Sequence, residues 1–364
     1  MNKSLCGQLP WLLGAVTGVS LLAGCVAPAD EAELAPTAAG DLQVSLSVDE
    51  AALSAQDDVA VTVTFINTSP EPMQLLKWYT GGEGLQERLF EVTRDGEPVA
   101  YLGPIVKRAA PGEADYITLA PGERLTRSVV LSDQYDLSED GDYSVRYDVG
   151  SLHTRGLMLS NVSLLQSNDL GLWVEGRPSA LLEAAKKHQD PILGLTYTNC
   201  SSTQQSTISQ ANSAAQNYSN NSYNYLNSTT PSGTPRYKTW FGTYSSTNWN
   251  TAKSHFNAIK NAFATASVVV DCSCTDSGTY AYVYPAQPYK IYVCGAFWNA
   301  PMTGTDSKGG TLVHEMSHFN VIAGTDDWAY GQSAAKNLAI SSPTKALDNA
   351  DNHEYFAENT PAQN

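Results

Sequence analysis

His314-Glu315-Met316-Ser317-His318, followed after five residues by Gly324-Thr325-Asp326-Asp327-Trp328-Ala329-Tyr330-Gly331, decides how this chain of 364 residues is read. Residues four apart on a helix lie one turn above another on the same face, with Cβ atoms roughly 5–6 Å apart. Two imidazoles so placed can share one tetrahedral Zn2+ and leave Glu315 beside a metal-bound water. The segment therefore predicts a helix over residues 307–319 that carries the centre of a zinc-dependent hydrolase.

A catalytic zinc takes three protein ligands and keeps a fourth position for water. One known spacing would place glycine at 321 and histidine at 324, but Val321 and Gly324 stand there. Two sources of the third ligand stay open. A glutamate of a later helix, Glu354 or Glu358, is one. The other is Asp327, if Gly324 ends the helix in a left-handed conformation and turns the chain back.

Outward from this segment, the charge is unevenly spread. The net is −16, yet residues 1–195 hold 13 Lys/Arg against 27 Asp/Glu, and residues 196–364 hold 8 against 10. An acidic chain with no basic stripe excludes nucleic acid as an expected partner. The first half is rich in Val, Leu, Asp and Glu and the second in Ser, Thr, Asn, Tyr and Ala, so a compositional seam falls near residue 195.

At the N-terminus, Lys3 precedes an apolar run over residues 11–22, too short and glycine-broken for a membrane span. It ends in Leu22-Ala23-Gly24-Cys25, which resembles a bacterial lipobox: residues 1–25 read as a signal, with Cys25 lipidated. The chain is thus expected to leave the cytosol, its precursor anchored to a membrane through that lipid. Cys200, Cys272, Cys274 and Cys294 then sit where disulfides persist. Cys272 and Cys274 are too close to pair with each other in a strand, and spacing leaves the two other pairings open.

Residues 26–40, rich in Ala, Pro, Glu and Asp, read as a tether. Residues 41–175 read as short strands (42–48, 59–65, 89–93, 127–131, 143–149) separated by turn signals such as Asp95-Gly96 and Asp140-Gly141. That punctuation predicts an all-β immunoglobulin-like sandwich. No site chemistry is expected there; its single histidine, His153, has no partner in the sequence. Residues 176–195 form a connector whose short helix stops at Asp190-Pro191. Residues 196–364 alternate helices (201–227, 250–264, 307–319, 330–340, 344–358) with strands (268–270, 280–284, 290–294), an α+β domain.

His-Glu-x-x-His followed by Gly-Thr-x-Asp-x-x-Tyr-Gly resembles the signature of the aspzincins, the deuterolysin and peptidyl-Lys metalloendopeptidase group. Further segments are similar to the peptidyl-Lys members: Pro235-Arg236-Tyr237, Trp240-Phe241-Gly242, Tyr280-Ala281-Tyr282-Val283-Tyr284-Pro285, Cys294-Gly295-Ala296-Phe297-Trp298, Thr303-Gly304-Thr305-Asp306-Ser307 and Asn349 through Phe356. The likeness covers residues 196–364 and implies a zincin-type catalytic domain. It implies His314, His318 and Asp327 as zinc ligands, Glu315 as general base and Tyr330 as oxyanion support. It also implies Cys200–Cys272 and Cys274–Cys294 disulfides. Asp351 and Glu354 fall on the acidic pair that binds the ammonium of a lysine after the scissile bond. Such a pair suits a compact ammonium better than the planar fork of arginine. His353 between them stays unassigned.

The resemblance begins near Thr196, so residues 26–195 are expected to be a pro-region that partners the enzyme until cleavage releases it. Lys186 and Lys187 offer a self-processing point in the connector. With no cysteine between residues 26 and 199, a thiolate cap on the zinc is excluded. The expected function is a secreted zinc endopeptidase acting on protein chains at the amino side of lysine. The alternatives are a broader deuterolysin-like protease in which Asp351 and Glu354 are structural, and a surface lipoprotein with an inactive zinc domain.

Overall fold

Alternating burial builds the first half. In Ala60–Asn67 every second residue (Val61, Val63, Phe65, Asn67) points inward, as period-two side chains of a half-covered strand must. In the computed structural model, which describes residues 42–149, 154–155, 165–187, 194–228 and 234–363, this strand is central to an antiparallel sheet. Leu42–Ser47 lies on one side and Arg124–Val130 on the other. A larger sheet places Gly141–Val149 between Phe90–Arg94 and Leu170–Val174. A third sets Met73–Leu76 between Thr154–Arg155 and Tyr116–Leu119. Leu46, Val63, Phe65, Val92, Tyr147 and Leu172 share one core. All five expected strands are present, with their ends moved by a few residues. The signal, Cys25, the tether and His153 lie outside the described residues.

The second half is built on a five-stranded sheet. Gly194–Thr198, Ser267–Asp271 and Lys290–Val293 run parallel, and Thr279–Val283 lies antiparallel to the last. The fifth strand comes from the other half: Ile105–Arg108 pairs antiparallel with Thr279–Val283, and all four of its residues are buried. An open sheet edge presents a row of unpaired N–H and C=O groups, and this strand supplies their partners. The expectation of no site chemistry in residues 41–175 is corrected here: the strand carries Lys107, which pairs with Asp351 and Glu354, and Tyr79, Glu87 and Arg88 also reach the loop from Asp326 to Tyr330.

Helices Ser202–Ser228, Ser246–Thr265, Lys308–His318 and Gln332–Ser341 share a core with the sheet through Ile208, Phe256, Met316 and Ala335 with Val270 and Ile291. The helix expected over 344–358 is two, Pro343–Leu347 and Ala350–Glu358. The break has a cause: the Asn349 side chain accepts from Trp328 N (2.7 Å) and Ala329 N (3.0 Å), so it must leave helical geometry to hold that loop. Disulfides join Cys200 to Cys272 and Cys274 to Cys294, as the resemblance implies. Among the described residues no helix is long and apolar enough to cross a membrane.

Candidate active site

The helix Lys308–His318 is buried from end to end. Ser307 caps it, its hydroxyl accepting from Gly310 N at 2.9 Å and donating to Glu358 Oε1 at 2.7 Å. Position 310 has no room for a side chain, since a Cβ there would lie 2.1 Å from Glu358 Oε1 and 3.0 Å from Glu354 Oε1. The helix stops at His318, because Phe319 is already extended. Gly324 therefore does not end the helix; its left-handed φ of 61° turns the loop that follows. The turn brings the Thr325 carbonyl to His318 Nδ1 at 2.6 Å. A carbonyl only accepts, so Nδ1 carries the proton and Nε2 is left as a lone-pair donor.

That lone pair faces Asp327. Oδ1 of Asp327 lies 3.3 Å from His314 Nε2, and Oδ2 lies 3.7 Å from His318 Nε2. Ligand atoms about 2.0–2.1 Å from a tetrahedral ion are about 3.3–3.4 Å apart, so these separations suit zinc. Both ring nitrogens of His314, Nε2 of His318, both Asp327 oxygens and both Glu315 oxygens are buried without a protein hydrogen-bond partner. So many buried orphans are costly unless a cation and its water join them. Burial pushes the Glu315 carboxyl up to about 8, aided by Asp327 and opposed by His314. Burial also holds His318 down at about 4. On His314 burial acts in the same sense, but the Asp327 carboxylate overrides it and raises the ring's affinity for protons.

Glu354 lies at the other nitrogen of His314. Asp351 Oδ1 is 3.0 Å and Glu354 Oε2 is 3.3 Å from His314 Nδ1, whereas Asp327 occupies the Nε2 side. Glu358, the other rival ligand, is engaged by Ser307, and burial pushes its carboxyl up to about 9. Asp351 also accepts from Gly331 N at 2.7 Å, which ties the pocket to the Tyr330 loop.

Between Asp351 and Glu354 sits an ammonium that sequence reasoning missed. Lys107 Nζ lies 3.2 Å from Asp351 Oδ1 and touches Glu354 Oε2; Lys107 and Asp351 are 1% exposed and Glu354 is 0%. Burial disfavours this charge, but the two carboxylates more than offset it and hold the lysine well above its ordinary range. Asp351, also opposed by burial, is held below the usual carboxylate range chiefly by Lys107. The Tyr280 ring forms a wall 5.4 Å from the ammonium.

Tyr330 belongs to both halves. Its hydroxyl is 3.0 Å from the Val106 carbonyl oxygen and 2.5 Å from Glu87 Oε1, and its ring packs edge-on against Trp78 within the core of the first half. Arg108 pairs with Glu87 at 2.7 Å. The first half also grips the Asp327 loop: Tyr79 donates to the Asp327 carbonyl at 2.6 Å, and Arg88 pairs with Asp326 at 2.8 Å. None of these partners was anticipated; the only sign was a lysine following two β-branched residues at Ile105-Val106-Lys107. His353 is a packing residue, stacked on His255 with ring nitrogens 3.0 Å apart, and burial lowers it to about 3.

A family profile described as lysine-specific metallo-endopeptidase, the aspzincins, matches residues 225–358. An extracellular protease of Aeromonas hydrophila is 45% identical over 94% of this chain and 97% of its own length. A peptidyl-Lys metalloendopeptidase of Pleurotus ostreatus is 55% identical over 46% of this chain and 98% of its own. Among solved structures, a zinc peptidase from Grifola frondosa is 54% identical, with 45% of this chain and 100% of that one covered at a TM-score of 0.44.

Proposed function

The chain belongs to the aspzincin family of metallo-endopeptidases, and from that premise we propose that it is an exported zinc enzyme cutting on the amino side of lysine. The observation that carries the specificity is the buried Asp351–Glu354 pair closed around the Lys107 ammonium. Two carboxylates converging on one point suit a compact cation better than a planar fork.

His314, His318 and Asp327 would hold one zinc ion per catalytic half, as their mutual distances support. The bound ion supplies an acidified water and a polarised carbonyl. Glu315, buried beside the ligand set, takes the water proton and returns it to the leaving amine. The Tyr330 hydroxyl donates to the carbonyl oxygen as negative charge develops there. Asp351 faces the substrate ammonium and also lies 3.0 Å from His314 Nδ1, close enough to act on the ligand ring electrostatically.

Residues 26–195 act as the pro-region. The shared core of the mainly antiparallel sheets between residues 42 and 174 supports a sandwich of immunoglobulin-like type for 41–175, followed by the connector. The helix Ala180–Lys187, with Lys186 exposed, supports an accessible cut there. A lipid on Cys25 would tether the precursor and be left behind when the enzyme is released; fatty-acid labelling lost in Cys25→Ala tests this.

Digestion of one denatured protein by mature enzyme, with and without chelator, tests the specificity. Chelator-sensitive cuts should all precede lysine. Cuts with other residues after the bond would favour the broader deuterolysin-like reading, and no cleavage at all would favour a binding protein.

A further inference from the structure

We propose that Ile105–Arg108 is the enzyme's first substrate, and that the Val106–Lys107 bond is a self-processing site cut by the same molecule's own active site. The inference rests on the lysine-directed reading above.

Three independent features set one register. Ile105, Val106 and Lys107 pair antiparallel with Val283, Tyr282 and Ala281, so the segment is held as an added edge strand, a common way to recognise an extended peptide. The Lys107 ammonium fills the Asp351–Glu354 pocket. The carbonyl oxygen 3.0 Å from the Tyr330 hydroxyl is that of Val106, the residue just before the lysine. In an enzyme that cuts on the amino side of lysine, that carbonyl is the reacting one. A lysine docked as a mere plug, one residue out of register, would bring a different carbonyl to Tyr330.

Flanking contacts hold the segment on the far side of the bond. The Arg108 guanidinium pairs with Glu87 and lies 4.8 Å over the Trp78 ring. Because Val106 and Lys107 are 7% and 1% exposed, a second molecule has no access to this bond. The cleft is closed to outside chains for the same reason, so the precursor is latent until its own strand is cut.

Hydrolysis balances simply. The hydroxyl of one water joins the Val106 carbonyl carbon, and the C–N bond to Lys107 breaks. The water proton passes through Glu315 to the Lys107 nitrogen. The products are a carboxylate at Val106 and a new amino terminus at Lys107. The new carboxylate forms beside the buried Glu87, which already shares the Tyr330 hydroxyl.

The test follows the wild-type precursor after zinc is added to metal-free protein, with new amino termini identified by mass spectrometry. The expected first terminus is Lys107, appearing at a rate independent of precursor concentration and absent in Glu315→Gln. Lys107→Ala should lose that terminus, and Lys107→Arg, which keeps the charge if the alanine variant fails to fold, should slow it. A first cut before Lys186 with Val106–Lys107 intact overturns the proposal, as does a rate proportional to precursor concentration. Separately produced mature enzyme is assayed in parallel on lysine peptides. If it fails to cut before lysine, the specificity reading fails; if it succeeds while Val106–Lys107 survives, only the present inference fails.

Discussion

The two faces of the His314 ring make the most informative comparison in the molecule. At Nε2, one carboxylate and a second imidazole converge with no proton donor between them; at Nδ1, two carboxylates converge on a lysine ammonium. Both clusters are buried, and both need a cation. The difference lies in the donor set. Two imidazole lone pairs and a carboxylate match a tetrahedral zinc ion, whereas two carboxylates with hydrogen-bond reach match the three N–H donors of an ammonium. One ring thus links the proposed metal centre to the proposed lysine pocket, through Asp351.

Substitutions can break or sharpen this contrast. The largest effect is expected from Asp327→Asn or His318→Ala, which should lose bound zinc and cut turnover by more than about 10⁴-fold, since the lowering of the water pKa goes with the ion. Metal analysis alongside kinetics checks that the two losses coincide. Glu315→Gln should keep its zinc and lose about 10²–10⁴ in kcat, the range of a general base. Tyr330→Phe in mature enzyme should keep both zinc and KM while kcat falls about 10²–10³-fold, as for a missing oxyanion donor.

The smallest effects separate the two residues of the proposed lysine pocket. Asp351→Asn touches both faces, so it should weaken zinc binding by about 10–100-fold as well as lysine preference. Glu354→Gln should lower kcat/KM for lysine peptides and leave zinc affinity in place. Zinc titration of the two variants in competition with a chelator distinguishes them; equal zinc affinity would break the proposed link through Asp351.

Much of the Nε2 face was legible in the sequence. The four-residue spacing of His314 and His318 is a local helical property, and Gly324 marked a turn even though the helix ends earlier. The choice of Asp327 over Glu354 was not decided by spacing; it needed the resemblance. The Nδ1 face was only half legible. Asp351 and Glu354 stand three apart on a helix, but Lys107 lies 244 residues from Asp351 in sequence. Its strand carries no alternation, because every residue of Ile105–Arg108 is buried. The same limit hid Glu87 and Trp78 beside Tyr330, and it hid the break at Asn349, whose cause is a loop 20 residues away.

The sharpest discrimination comes from kcat/KM of mature enzyme on matched peptides that differ only after the scissile bond: lysine, arginine, and norleucine, which keeps the lysine stem without its charge. A pocket built around an ammonium leaves Asp351 and Glu354 unpaired against norleucine, so a loss of about 10⁴-fold relative to lysine is expected, with arginine well below lysine. Norleucine cut as fast as lysine would contradict the assignment of Asp351 and Glu354 as the site that reads the substrate.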